Sequence, residues 1–247
     1  MKNNLQLKMK TIFLLLMLIP LVSISQTKNV VSYNRVFPKI DKNLEFEKVL
    51  ATHSQKYHTG DVKWRVFQIQ SGPDAGGYHI AEGPKTWASE DVRGDINVEH
   101  NNDWNKNVCI YLTDRYSSGY SVYIDSLSTV AIGDYSDKIQ ITHIYPKLGC
   151  SYRVATMLKS LKAAWSVEGS TVAVYEANGS GAPQYTLVRR YKQGLKEKED
   201  GFRKSFVDTY EKIHGKGSWA IFNDNVKEYI NDQWSELLFF RADLSSK

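Results

Sequence analysis

The chain has 247 residues, with 32 Lys and Arg against 27 Asp and Glu and a formal charge of +5. Three of the cations, Lys2, Lys8 and Lys10, sit in the first ten residues, and the remainder is close to neutral, which excludes a general basic field for nucleic acid. Two cysteines, Cys109 and Cys150, are too few for a disulfide scaffold and show no CxxC or Cys/His metal spacing. Whether they bridge each other stays open in the sequence.

The N-terminus reads as a targeting segment. The three lysines precede an apolar run from Ile12 to Val22, and Ser23-Ile24-Ser25 supplies the small residues a signal peptidase needs. The run falls short of the roughly 20 apolar residues of a spanning helix, so a signal peptide over 1–25 is expected in place of a retained anchor. The expectation is an exported protein, periplasmic or extracellular, with no membrane attachment after cleavage near Ser25.

Val31–Phe37 is rich in β-branched and aromatic residues and predicts the first strand. A helix follows, with Asp41 or Asn43 expected as its N-cap and Phe46, Val49, Leu50, His53 and Tyr57 as its apolar stripe. Gly60-Asp61 stops it. Val62–Gln70 and Tyr78–Glu82 read as strands joined by the Gly/Pro turn at 71–77. Trp104, Val108, Leu112 and Arg115 predict a second helix, and Ser128–Gly133 a fourth strand. The same order then recurs: strand Ile139–Tyr145, helix Ser151–Ser166, strands Thr171–Ala177 and Gln184–Tyr191, and a helix carrying Phe202, Phe206, Tyr210 and Ile213. An extra helix around Asp224–Gln233 and a strand at Glu236–Arg241 complete it.

The recurrence extends to residues. Phe37-Pro38-Lys39 returns as Tyr145-Pro146-Lys147, an offset of 146 − 38 = 108, and the helix stripe returns as Val154, Met157, Leu158, Leu161 and Trp165. That period is too long for a solenoid unit. The predicted class is therefore α+β: two tandem ferredoxin-like βαββαβ repeats, 26–136 and 137–247, packed sheet to sheet as a barrel-like sandwich with four helices outside. This arrangement resembles the dimeric α+β barrel superfamily, fused here into a pseudo-dimer. The resemblance implies a fold that hosts cofactor-free monooxygenases, haem-binding and haem-degrading proteins, isomerases and stress proteins, and it selects none of them.

Positions that are apolar in one copy and polar in the other point to chemistry. His53 lies on the buried stripe where the second copy has Leu161. It is either a satisfied core histidine, bonded for instance to Tyr57, or a general base or ligand in a pocket. Arg35 and His143 hold equivalent places on the first strands among apolar neighbours, on the face expected under the helices. Either they reach solvent at the sheet's end or Arg35 clamps an anionic group. With Tyr33 between Arg35 and His53, the predicted site is a pocket under the helices of the first repeat. His53 is its base, and Arg35, Tyr33, Tyr57 and His143 contact a small, partly apolar ligand. His79 is expected at the surface or between sheets, and His58 at a helix C-terminus. There is no nucleophile elbow, no HExxH and no carboxylate pair, so a ligand-binding module, an enzyme of the monooxygenase or isomerase type, and an interaction protein without a pocket all remain open. No cofactor and no metal is identified, and the oligomeric state is undetermined.

Overall fold

A computed structural model describes residues 27–247; the predicted signal peptide lies outside the described residues. Among those residues no helix is long and apolar enough to cross a membrane. The first half runs β1 (Val30–Pro38), α1 (Asn43–Tyr57), β2 (Trp64–Ile69), β3 (Tyr78–Lys85), α2 (Trp87–Arg93), α3 (Val98–Asp103) and β4 (Leu112–Tyr123). The second runs β5 (Lys138–Pro146), α4 (Ser151–Glu168), β6 (Val172–Ala177), β7 (Tyr185–Arg190), α5 (Phe206–His214), α6 (Ser218–Tyr229) and β8 (Ile230–Phe240).

All eight strands form one closed antiparallel barrel in the order β1-β3-β2-β8-β5-β7-β6-β4. Within it β4-β1-β3-β2 and β8-β5-β7-β6 are each four-stranded. The two sets meet edge to edge, Phe67 opposite Phe240 on one seam and Tyr123 opposite Tyr175 on the other. The expected barrel is present, and it closes by edge pairing of the two sheets. Stacking alone would leave four open strand edges, whereas closure pairs three residue positions along each seam and creates an interior.

Closure also decides which face is which. Val36, Val66, Tyr78 and Ile80 point outward and bury against Phe46 and Leu50 of α1. The alternate positions, among them Tyr33, Arg35, Phe67 and His79, point into the barrel. Arg35 and His143 are therefore not under the helices as expected. Both faces of β1 are buried, so apolar content alone does not tell inside from outside.

Three local expectations also change. The turn before α1 is a short 3-10 segment, Ile40–Lys42, and neither Asp41 nor Asn43 caps the helix. The second helix of the first half ends in a π-type turn at Trp104–Val108, so Leu112 and Arg115 belong to β4, and Ser128–Gly133 is not a strand. Ser117 faces Arg35 on β4 and Trp234 faces His143 on β8, an offset of 234 − 117 = 117 in place of 108. Most of β4 before Gly119 is exposed, so it carries no apolar alternation, and pairing with β1 is what holds it extended. Cys109 and Cys150 are free thiols.

Candidate functional site in the barrel interior

The barrel encloses a cavity of about 350 Å³. Its chemistry falls into two groups of side chains. The first centres on Glu236 of β8, whose carboxylate is fully buried. Arg35 donates to it from both terminal nitrogens, Nη1 to Oε2 at 3.0 Å and Nη2 to Oε1, and Nη1 also donates to Asp74 Oδ2 at 2.6 Å. His143 Nε2 donates to Glu236 Oε1 at 2.8 Å. Its Nδ1 accepts from Gln184 Nε2 at 2.5 Å, and its ring stacks on Trp234 with centroids 3.9 Å apart. Burial works to raise the Glu236 pKa, but the hydrogen bonds from His143 and Arg35 and the Arg35 charge prevail and hold it below the usual carboxylate range. Burial likewise opposes the charge on Arg35, and its contacts with Glu236 and Asp74 outweigh it. This cluster is saturated: every strong donor in it has an acceptor. Asp74 comes from the glycine-rich β2–β3 turn, which thus reaches the cavity wall.

The second group is differently satisfied. Arg190 donates to the carbonyls of Ala131, Ile132 and Asp134 and to the Tyr175 hydroxyl. Arg65 lines the same cavity with its guanidinium 3.9 Å from the centre of the Tyr135 ring and 4.3 Å from that of Phe240. Its Nε is buried without a hydrogen-bond partner, and among the described residues no carboxylate forms an ion pair with it. Burial lowers its pKa. The side chain is half-buried, and the charge of Asp137 offsets part of that effect from beyond ion-pair distance.

Between the groups lie Tyr33 and His79, stacked with ring centroids 5.5 Å apart. A Cβ at Gly119 would stand 2.7 Å from the Tyr33 hydroxyl, so glycine there is what lets the phenol lie against β4. His79 has a buried Nδ1 with no partner, and its accessible surface faces the cavity. Burial, then the neighbouring charge of Arg35, pushes its pKa down to about 3, so the ring is neutral at neutral pH.

The predicted residues therefore separate. Arg35, Tyr33 and His143 share the cavity. His53 and Tyr57 do not: they lie on the outer side of the sheet, where His53 packs against Trp64 and Trp104. The geometry that let Arg35 and His53 touch two ends of one ligand put both on one face, and the sheet stands between them. A cavity under helices does exist, but in the second half, about 340 Å³ lined by apolar side chains including Met157, Leu161 and Phe222. His79 lies between the sheets, one of its two expected places, whereas Arg65 and Glu236 are not among the predicted residues. Arg65 shares strand parity with Phe67 and Ile69, and Glu236 with Leu238 and Phe240, which is the signal that could have found them.

No family model and no curated protein matches the chain. Solved structures do match its fold. A candidate monooxygenase from Fusobacterium nucleatum superposes with a TM-score of 0.52 at 13% identity, covering 85% of this chain and 91% of that one. An anthrone oxidase-like protein gives 0.53 at 10% identity over 87% and 92%. A mutant chlorite dismutase from Candidatus Nitrospira defluvii gives 0.53 at 7% identity over 90% and 94%. These likenesses define the class: the chain has the dimeric α+β barrel fold, closed within a single polypeptide. At such identities they speak to fold alone.

Proposed function

We propose that the protein binds a small, partly apolar anion inside the barrel, with the Arg65 guanidinium as its anchor. The observation that carries this reading is Arg65 itself, a cation on the wall of an aromatic-lined cavity with no carboxylate of the described residues at ion-pair distance. A carboxylate or comparable oxyanion would supply two acceptors to the guanidinium fork, and the Tyr135, Phe67 and Tyr33 walls would take an apolar or ring body. The cavity volume is at the lower end of ordinary ligand pockets, which suits a compact ligand. The leader supports export, so the ligand would be met outside the cytoplasm. The matching halves support a duplicated unit with its boundary near residue 136.

The test is a panel of small aromatic and aliphatic carboxylates titrated into the full chain by calorimetry. We expect at least one to bind, Arg65→Met to weaken it by tenfold or more, and His53→Leu to leave it unchanged. Binding unaffected by Arg65→Met would overturn the assignment. A second reading, an enzyme acting on the bound ligand, is favoured by the unpartnered Nδ1 of His79. Several neighbours in fold carry the names of oxidative enzymes. Under that reading His79→Gln abolishes turnover and leaves binding intact; under the first it alters affinity only.

A further inference from the structure

Outside the barrel, on the helix side of the first half, three histidines converge. His53 comes from α1, His58 from the residue that caps it, and His100 from α3. His53 and His58 are fully buried and His100 is half-buried. One nitrogen of each lies within 4.8 Å of the other two, and His58 Nε2 stands 3.2 Å from His100 Nε2.

The hydrogen bonds around the rings fix their tautomers. His53 Nδ1 is 2.7 Å from Asp103 Oδ2. His58 Nδ1 is 3.2 Å from the Val62 carbonyl and 3.7 Å from Glu82 Oε2. His100 Nδ1 is 2.9 Å from Asn101 Oδ1. The Asp103 carboxylate and the Val62 carbonyl can only accept, so the Nδ1 of His53 and of His58 carries the proton; with the Asn101 amide presenting Oδ1 to His100, each neutral ring turns an Nε2 lone pair inward. Two lone pairs then face each other across 3.2 Å, and the third, His53 Nε2, is buried with no partner. Without a cation that arrangement is repulsive and leaves a desolvated acceptor unsatisfied. Two imidazole nitrogens bound to one tetrahedral zinc ion, each about 2.0–2.1 Å from it, stand about 3.3 Å apart.

We propose that His53, His58 and His100 bind a zinc-class divalent cation through their Nε2 atoms. Three histidines would leave one tetrahedral position for water or an exogenous ligand. Asp103 and the Val62 carbonyl hold the ligand rings from behind, the outer-shell contacts that orient metal-binding imidazoles. Trp64 stacks on His58 with centroids 3.4 Å apart and fixes its plane. Trp104 covers His53. Imidazole sets of this kind accept Zn²⁺, Cu²⁺, Ni²⁺ or Fe²⁺, and zinc is the reference probe.

The experiment strips the full chain with chelator, titrates Zn²⁺ by calorimetry and counts bound metal by elemental analysis. The expected result is one zinc per chain with a raised thermal midpoint. Binding falls by tenfold or more in His100→Ala and His53→Leu, and by about 10–100-fold in Asp103→Asn. His214→Ala, at an exposed histidine far from the cluster, serves as the control and leaves binding intact. His53→Leu keeps its fold because the second half already carries Leu161 at the equivalent place. A second measurement needs no variant: in the ¹⁵N spectrum of the unaltered chain, zinc shifts the Nε2 resonances of all three histidines together. A chain that takes up no zinc, or binds it equally well in His100→Ala and His53→Leu, overturns the proposal. So does a spectrum in which an Nε2–H of one ring stays hydrogen-bonded to the other in the presence of the metal.

Discussion

The two halves of the molecule agree inside the barrel and differ outside it. Inside, Arg35 and His143 occupy equivalent places on β1 and β5 and converge on one carboxylate, Glu236. Outside, the layer between helix and sheet in the first half pairs an apolar core around Phe46, Leu50 and Tyr78 with a buried polar cluster, His53, His58, Glu82 and Lys85. In the second half it is apolar, built from Val154, Met157, Leu158, Leu161 and Trp165. A layer that can be made of leucine and valine, and is so made in one half, does not need histidines to hold the fold. The shared interior draws on both halves, and the buried polar cluster is what distinguishes the outer layer of the first.

The largest expected effect falls where the halves agree. Glu236→Ala leaves Arg35 without its bidentate partner and His143 without an acceptor inside a closed barrel. Breaking a buried ion pair from one side costs about 3–5 kcal/mol, read as a lowered denaturation midpoint. Replacing both partners, Arg35→Met with Glu236→Leu, should recover most of that loss. If the single change costs less than about 1 kcal/mol, the convergence on Glu236 is not what joins the halves.

Acid separates the two outer layers next. Burial pushes the His58 pKa down to about 4, against about 6.5 when unfolded. The unfolded chain therefore takes up the proton first as pH falls, and stability drops between about pH 6.5 and pH 4. At about 1.4 kcal/mol per unit, His58 alone accounts for roughly 3 kcal/mol of it in metal-free protein. His79 inside the barrel, at about 3, adds to the same slope. The depressed carboxylates Glu82 and Glu236 contribute only below about pH 4.5, where they begin to take up protons. Denaturation midpoints between pH 7 and pH 5 thus isolate the histidines, and a flat profile there contradicts their burial as neutral rings.

Much of this was legible in the sequence. Periodicity placed β1, α1, β3, β5, α4 and β7 to within a few residues, because each presents an apolar face at the period of its own element. The comparison of copies also picked out Arg35, His143 and His53 as the exceptional positions. What alternation could not supply was the inside of the barrel. It assigns residues to two faces, and when both are buried it leaves their identities exchangeable, so the cavity was placed under α1. His100 was beyond reach for another reason. It meets His53 and His58 only through the packing of α3 onto α1, and no spacing in the chain encodes that contact.

Exchanging the outer layers at one position sharpens the contrast further. Leu161→His puts an imidazole among Val154, Leu158 and Trp165, where it loses apolar contacts and brings no Asp103 with it. The expected cost is about 1–3 kcal/mol, from an unsatisfied buried group.

The reverse exchange has the smallest effect and the most informative sign. His53→Leu removes the Nδ1 bond to Asp103, but Asp103 is partly exposed and water can take the place of the ring. It also removes the buried Nε2 that has no partner, a liability in the metal-free chain. The two terms nearly cancel, so chelated protein should change by no more than about 1 kcal/mol, toward greater stability. Adding zinc should reverse the order, stabilising the unaltered chain and not the variant, since only a cation bound to the folded state shifts the equilibrium. A variant that is clearly less stable than the parent in chelator would mean that His53 is held by contacts of its own and that the layer's polarity is structural.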